Sequence, residues 1–120
     1  MESAELTVAR LTAELFKVIG HPVRVRALEL LLQGESSVGA LAESLGLELS
    51  QLSQHLGALR RVNIVDTRRV GTTVYYSVHD PRMSQLLAIA RQLLASNLED
   101  SRELLITIED MTSAGARATR

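Results

Sequence analysis

The 120-residue sequence predicts a single, mainly α-helical domain that carries one β-hairpin. Apolar residues recur at helical spacing through both terminal parts of the chain, whereas alternation with a period of two is confined to residues 64–78. Hydrophobic residues make up 46% of the chain and aromatic residues only 2%, so we expect a core of Leu, Val, Ile and Ala. We expect the domain to span residues 1–112 and to be followed by a small, polar, disordered tail over 113–120.

The composition argues against several classes of function. The chain contains no cysteine, which excludes disulfides, thiolate nucleophiles and cysteine metal ligands. No apolar run approaches the roughly 20 residues of a membrane span. The N-terminus lacks the pattern of a signal peptide, so a cytoplasmic protein without membrane contact is expected. The sequence also lacks a Gly-rich phosphate loop and any recognisable catalytic constellation, which argues against an enzyme.

Helical spacing predicts three helices in the first 45 residues. The first helix carries two apolar stripes, one containing Leu6 and the other Leu15, and is therefore expected to be buried on two sides. Pro22 fits the first turn of a second helix, where its missing N–H costs nothing. A third helix is predicted to begin next to Ser36 or Ser37, because either hydroxyl can serve as its N-cap.

A fourth helix over about residues 49–62 follows a short turn that contains Gly46, which is the sequence pattern of a helix-turn-helix. Its leucines fall within an arc of about 80°, and the opposite face is polar and free of carboxylates. Such a face suits the major groove of DNA, and a solvent-facing helix is the simpler alternative. For His55 the sequence leaves open a buried structural role or a contact with DNA. The predicted DNA-binding residues on this helix are Ser50, Gln51, Ser53, Gln54, His55, Arg60 and Arg61.

The predicted hairpin has Gly71 at its tip, with Arg68 and Arg69 before it and Thr72 and Thr73 after it. The element order is therefore α-α-α-α-β-β-α, which is the winged helix-turn-helix arrangement. Residues 50–82 carry five arginines and two acidic residues, the only positive third of the chain. The two arginines and two threonines are predicted to contact a DNA backbone, the alternative being a charge-protected edge strand.

Three segments in this order resemble the ArsR/SmtB-type winged helix-turn-helix transcriptional repressors. They are residues 18–28 (VIGHPVRVRAL), 49–60 (LSQLSQHLGALR) and 68–78 (RRVGTTVYYSV), and the resemblance covers about residues 10–95. Asn63 departs from the family, which usually has Gly at this helix end, but Asn also tolerates the left-handed conformation.

The resemblance implies a homodimer that binds a pseudo-palindromic operator in double-stranded DNA and responds to an effector. It implies that the first and last helices form the dimer contact, and those segments carry extra apolar stripes here. The residues predicted for dimerisation are Leu6, Leu15, Met83, Leu87, Ala90 and Leu94. The alternative function is a winged-helix protein-interaction module without sequence-specific DNA binding.

Many members of the resembling family sense metals, but the two commonest sites of the family are absent. The matching positions hold Ser37, Gly39, Arg82, Leu93 and Ser96. His79 and Asp80 remain as candidate ligands, and with an acidic residue from a partner copy they could hold nickel or zinc. Otherwise the effector is a small molecule, a partner protein or absent.

Overall fold

A computed structural model of the chain describes residues 1–98 and 101–118 and divides it into two compact units, Met1–Asp80 and Pro81–Arg120. The first unit contains four helices and a small sheet, and the second contains two helices. The elements in chain order are α1 (Ala4–Ile19), α2 (Pro22–Leu31), β1 (Ser36–Ser37), α3 (Val38–Leu45), α4 (Leu49–Arg61), β2 (Val65–Val70), β3 (Thr73–Val78), α5 (Met83–Ser96) and α6 (Arg102–Ala118).

The core of the first unit lies where α2, α3, α4 and the sheet meet. It is aliphatic, as the composition predicted, and each fully buried leucine contributes about 1.5–3 kcal/mol by leaving water. Three of these leucines belong to α4 and are completely inaccessible, so α4 is anchored along one side. The largest fully buried side chains are Leu28, Leu41, Leu52, Leu56, Leu59 and Val65.

Local capping chemistry sets the ends of the helices that flank the turn. Ser37 is the N-cap of α3, and its hydroxyl accepts a hydrogen bond from the amide N–H of Ala40 at 3.2 Å. Gly46 ends α3 in the left-handed conformation at φ 64°. Asn63, just beyond α4, has φ 61°, which confirms that Asn adopts the conformation for which the family usually has Gly.

The predicted hairpin is confirmed, with β2 and β3 paired antiparallel from Val65↔Val78 to Val70↔Thr73. Its two-residue loop places Gly71, at φ 62°, in the position where a tight hairpin turn needs positive φ. The sheet also has a third strand that the sequence did not predict, because β1 is only two residues long. β1 pairs with β3, so the strand order is β1-β3-β2.

The second unit differs from the single last helix in the predicted element order. α5 ends at Ser96 and α6 begins at Arg102, so two helices stand where the sequence predicted one. α6 continues to Ala118 and so includes residues 113–118, where the sequence predicts a disordered tail. Ala114, Ala116 and Ala118 favour helix strongly enough to outweigh one Gly. Residues 119 and 120, the rest of the predicted tail, lie outside the described residues.

Over the described part of the chain, no helix combines the length and apolar character needed to cross a lipid bilayer.

Candidate nucleic-acid interface

α4 presents a polar face to solvent because its leucine arc is fixed in the core. Leu52, Leu56 and Leu59 are 0% exposed. Leu49, in the first turn, belongs to the predicted leucine arc but is 52% exposed. The outer face is uncharged up to the arginines of its last turn, which suit the negative end of the helix dipole. The exposed predicted residues of α4 are Ser50, Gln51, Ser53, Gln54, Arg60 and Arg61.

His55 is the one predicted DNA-binding residue that is half-buried rather than exposed. Its Nδ1 accepts a hydrogen bond from Nε of Arg24 at 3.1 Å, and its ring lies 4.3 Å from the ring of His21, centre to centre. Desolvation, and then the positive charges of His21 and Arg24, lower the pKa of His55 below its ordinary value. This hydrogen bond fits the structural role that the sequence left open for His55, and its contact with DNA stays a prediction.

The wing formed by β2 and β3 exposes the predicted residues on both sides of its tip. Arg69, Thr72 and Thr73 are exposed, and Gly71 between them lets the chain turn tightly enough for the wing to protrude as a narrow edge. A narrow edge with a guanidinium and two hydroxyls offers donors for phosphate oxygens without bulky side chains in the way.

Arg68 is exposed but already has an acidic partner. Its Nη2 donates to Oε1 of Glu35 at 2.6 Å, and its Nε donates to Oε2 at 2.8 Å. The guanidinium also lies 4.8 Å from the ring centre of Tyr75, the residue opposite Arg68 in the hairpin register. The hydrogen bond from Arg68 lowers the pKa of Glu35, and the same bond raises the pKa of Arg68. Glu35 was missed by the sequence reading, because 33 residues separate it from Arg68.

The predicted metal ligand His79 also has a partner that the sequence did not indicate. Its Nδ1 lies 2.8 Å from Oδ2 of Asp66, whose strand neighbours the segment after β3. Across residues 1–98 and 101–118, no three His, Asp or Glu side chains are grouped so that they could hold a metal ion. The pair of His79 and Asp80 would therefore need ligands from a second copy to complete a site.

The predicted dimerisation residues differ in what they offer a partner. On α1, Leu6 is 56% exposed and Leu15 is 38% exposed, and they belong to the two different apolar stripes of this helix. On α5, Leu94 and Ala90 are exposed and Met83 is half-buried. Leu87 is already buried in the single chain, so its side chain offers a partner almost no surface, contrary to the sequence expectation.

These features together define a winged helix-turn-helix protein. The sequence profile described as "Bacterial regulatory protein, arsR family" matches residues 21–67, from the N-cap of α2 into β2. The chain is 45% identical over 117 residues to the uncharacterized HTH-type transcriptional regulator Rv0081 of Mycobacterium tuberculosis, covering 97% of this chain and 98% of that protein. The chain belongs to the ArsR family, and it is a DNA-binding transcriptional regulator rather than an enzyme.

Solved structures of related proteins have the same fold. The crystal structure of M. tuberculosis Rv0081 matches with a TM-score of 0.71 and 48% identity, covering 78% of this chain and 94% of that one. The transcriptional repressor BigR from Xylella fastidiosa matches with a TM-score of 0.66 and 34% identity, covering 78% and 96%. The homodimeric winged helix-turn-helix domain of Mb0332 from Mycobacterium bovis matches with a TM-score of 0.72 and 28% identity, covering 85% and 94%.

Proposed function

We propose that the protein represses transcription as a homodimer whose two α4 helices enter successive major grooves of a pseudo-palindromic operator. The observation that carries this proposal is the polar, carboxylate-free outer face of α4, held outward by three fully buried leucines. Repression is supported by the likeness to BigR, and dimerisation by the likeness to the homodimeric Mb0332 domain. A cytoplasmic location, where the operator lies, is part of the proposal.

The N-terminal half of α4 is proposed to read bases. Ser50, Gln51 and Gln54 are short or medium donors and acceptors on the exposed face, and a Gln amide can pair bidentately with adenine. Arg60 and Arg61, about two to three turns further along, are proposed to contact phosphates at the distal end of the helix.

The wing is proposed to contact the adjacent backbone through Arg69, Thr72 and Thr73. Arg68 can join this contact once its guanidinium leaves Glu35, because its Nε and Nη2 donate to that carboxylate. The wing contact therefore contributes affinity that is independent of sequence and depends on salt.

The dimer is proposed to form through the exposed apolar surfaces of α1 and α5. Val8, Leu11 and Phe16 are each more than half exposed on α1, an unusual number of large apolar side chains for one helix of a monomer. A two-fold dimer of this kind binds half-sites one helical turn apart, about 10 base pairs centre to centre.

An effector that modulates this binding is also proposed, with nickel or zinc as one candidate and a small molecule or partner protein as the others. In the metal case, Nε2 of His79 and a carboxylate oxygen of Asp80 would be ligands, together with acidic groups of a second copy. The Asp66 carboxylate on Nδ1 would then orient the ring, as carboxylates commonly do for metal-bound histidines.

The test of base reading is Gln54→Ala, measured on a duplex selected by the wild-type protein from a random pool. We expect a loss of about 1–3 kcal/mol on the selected duplex and much less on random duplexes. Gln33→Ala, an exposed glutamine outside the proposed interface, is the matched control. Equal losses on both duplexes would show that Gln54 reads no base. If the wild type binds every duplex weakly, and its affinity does not change with salt, the alternative of a winged-helix protein-interaction module would be favoured.

A further inference from the structure

We propose that Arg24 is a positioning residue that holds the DNA-facing helix α4 in one rotation against α2, with His55 as its acceptor on α4. This inference rests on the proposed function of the outer face of α4, and it adds a residue outside that face. Arg24 lies on α2, its side chain is half-buried, and nothing in its position suggests that it touches DNA itself.

Arg24 connects three helices through two different nitrogens of one guanidinium. Its Nε donates to Nδ1 of His55 on α4 at 3.1 Å, and its Nη1 donates to the carbonyl oxygen of Val18 at 2.9 Å. Val18 lies in the last turn of α1, where backbone carbonyls have no partner within the helix and a cation suits the helix dipole. The planar guanidinium therefore fixes α4 relative to both α1 and α2.

The direction of the bond determines the protonation of His55. A guanidinium keeps all its protons in proteins, so the shared hydrogen comes from Arg24 and Nδ1 of His55 must be unprotonated. The proton of the neutral imidazole is then on Nε2. His21 supports this arrangement from the other side, because its own Nδ1 accepts the amide N–H of Val23 and holds its ring 4.3 Å from that of His55.

The hydrogen bond from Arg24 to His55 restricts rotation of α4 about its own axis, which the packing of the α4 leucines does not. Aliphatic packing is non-directional, and leucine contacts tolerate small rotations of a helix. Side-chain tips lie about 5–6 Å from a helix axis, so a rotation of about 20° moves them by about 2 Å. That shift is enough to break the hydrogen bonds through which Gln51 and Gln54 would read bases, because such bonds need distances near 3 Å.

Protonation of His55 at acidic pH breaks the hydrogen bond from Arg24. A protonated His55 would present a second N–H to Arg24 in place of a lone pair and would add a positive charge next to Arg24 and His21. The groups that lower the pKa of His55 by charge are those two, both from α2 or its N-cap. The folded state therefore binds the proton less well than the unfolded chain, and the contact stabilises the fold at neutral pH but is lost on acidification.

The test compares Arg24→Met with Arg26→Met on the same helix, using the duplex selected from a random pool. Arg26 is exposed and pairs with Glu29, so its variant controls for the loss of one positive charge. We expect Arg24→Met to weaken binding about tenfold or more, which corresponds to one charge-assisted hydrogen bond, and Arg26→Met to weaken it less than about twofold. Equal affinities of the wild type and Arg24→Met would overturn the positioning role.

Imidazole nitrogen shifts of His55, measured by NMR without DNA, test the bond itself. The wild type should show an unprotonated Nδ1 and a protonated Nε2, and the pKa of His55 should rise towards its ordinary value in Arg24→Met. The opposite tautomer in the wild type would overturn the proposal. The NMR measurement tests the hydrogen bond without DNA, so its result is separate from the test of DNA binding. A wild-type protein that binds no duplex would overturn the proposed function and, with it, the positioning role of Arg24.

His55→Asn provides a second variant if Arg24→Met fails to fold. Asn places a carbonyl oxygen near the position of Nδ1, and that oxygen can accept from Arg24 but cannot be protonated. The wild type should lose DNA affinity between neutral pH and about pH 5, in the range where histidines gain charge, and this dependence should become shallower in His55→Asn. An identical pH profile in both proteins would overturn the proposal.

Discussion

Replacing Glu35 with glutamine should make the protein bind DNA with a steeper dependence on salt. In the free protein, Glu35 accepts hydrogen bonds from Nε and Nη2 of Arg68, and Arg68 lies over Tyr75. Glutamine has nearly the same size but no charge, and one of its two terminal groups cannot accept. Arg68 would thus be released on the wing, where phosphate oxygens are the strongest competing partners.

The expected magnitude comes from counterion release. Each additional phosphate contact steepens the slope of log affinity against log salt by about 0.9, and a dimer has two wings, so the slope should steepen by about 1.8. Over a fourfold decrease in salt, the affinity of Glu35→Gln should therefore rise about twelvefold more than that of the wild type. No change is expected in sequence preference, since the released contact is with the backbone.

Fluorescence anisotropy with a random duplex over a series of salt concentrations measures this slope. Glu43→Gln, an exposed glutamate on α3, removes the same charge without releasing Arg68 and should leave the slope near that of the wild type. In an Arg68→Ala background, Glu35→Gln should have no further effect on the slope. If Glu35→Gln leaves the salt slope unchanged, or steepens it equally in the Arg68→Ala background, then Glu35 does not restrain Arg68 from binding phosphate.

Three further predictions concern the core, the dimer and the effector. Leu56→Ala should lower the free energy of unfolding by about 2–5 kcal/mol, because the side chain of Leu56 on α4 is fully buried. A loss of less than about 1 kcal/mol in a urea titration would contradict that burial. Leu15→Glu together with Leu94→Glu should give monomers in sedimentation velocity, because both side chains are exposed and apolar. An unchanged dimer would place the interface elsewhere. His79→Ala should abolish nickel or zinc binding in calorimetry if the effector is a metal, and retained binding would remove His79 from the site.

The recognition helix and the wing were predictable because each depends on a local pattern. Leu52, Leu56 and Leu59 repeat with the helical period, so their burial and the exposure of the opposite, polar face follow from one arc. The hairpin follows from β-branched alternation and from Gly71, the residue that permits positive φ in its loop.

The features that the sequence did not reveal depend on contacts between distant residues. Arg68 meets Glu35 across 33 residues and Arg24 meets His55 across 31 residues, and neither pairing leaves a periodic trace in the sequence. Both arise because β1 brings the preceding Glu35 next to the hairpin, and α2 brings Arg24 next to α4. The strand β1 was missed for a related reason, since two residues are too few to show alternation.

Methylation interference at purine N7 most directly tests the central claim, that α4 reads the major groove. N7 lies on the floor of the major groove, so methylation there blocks a helix seated in it. With the duplex selected by the wild type, we expect two clusters of interfering guanines about 10 base pairs apart. Tight binding without interference at guanine N7 would show that α4 does not lie in the major groove.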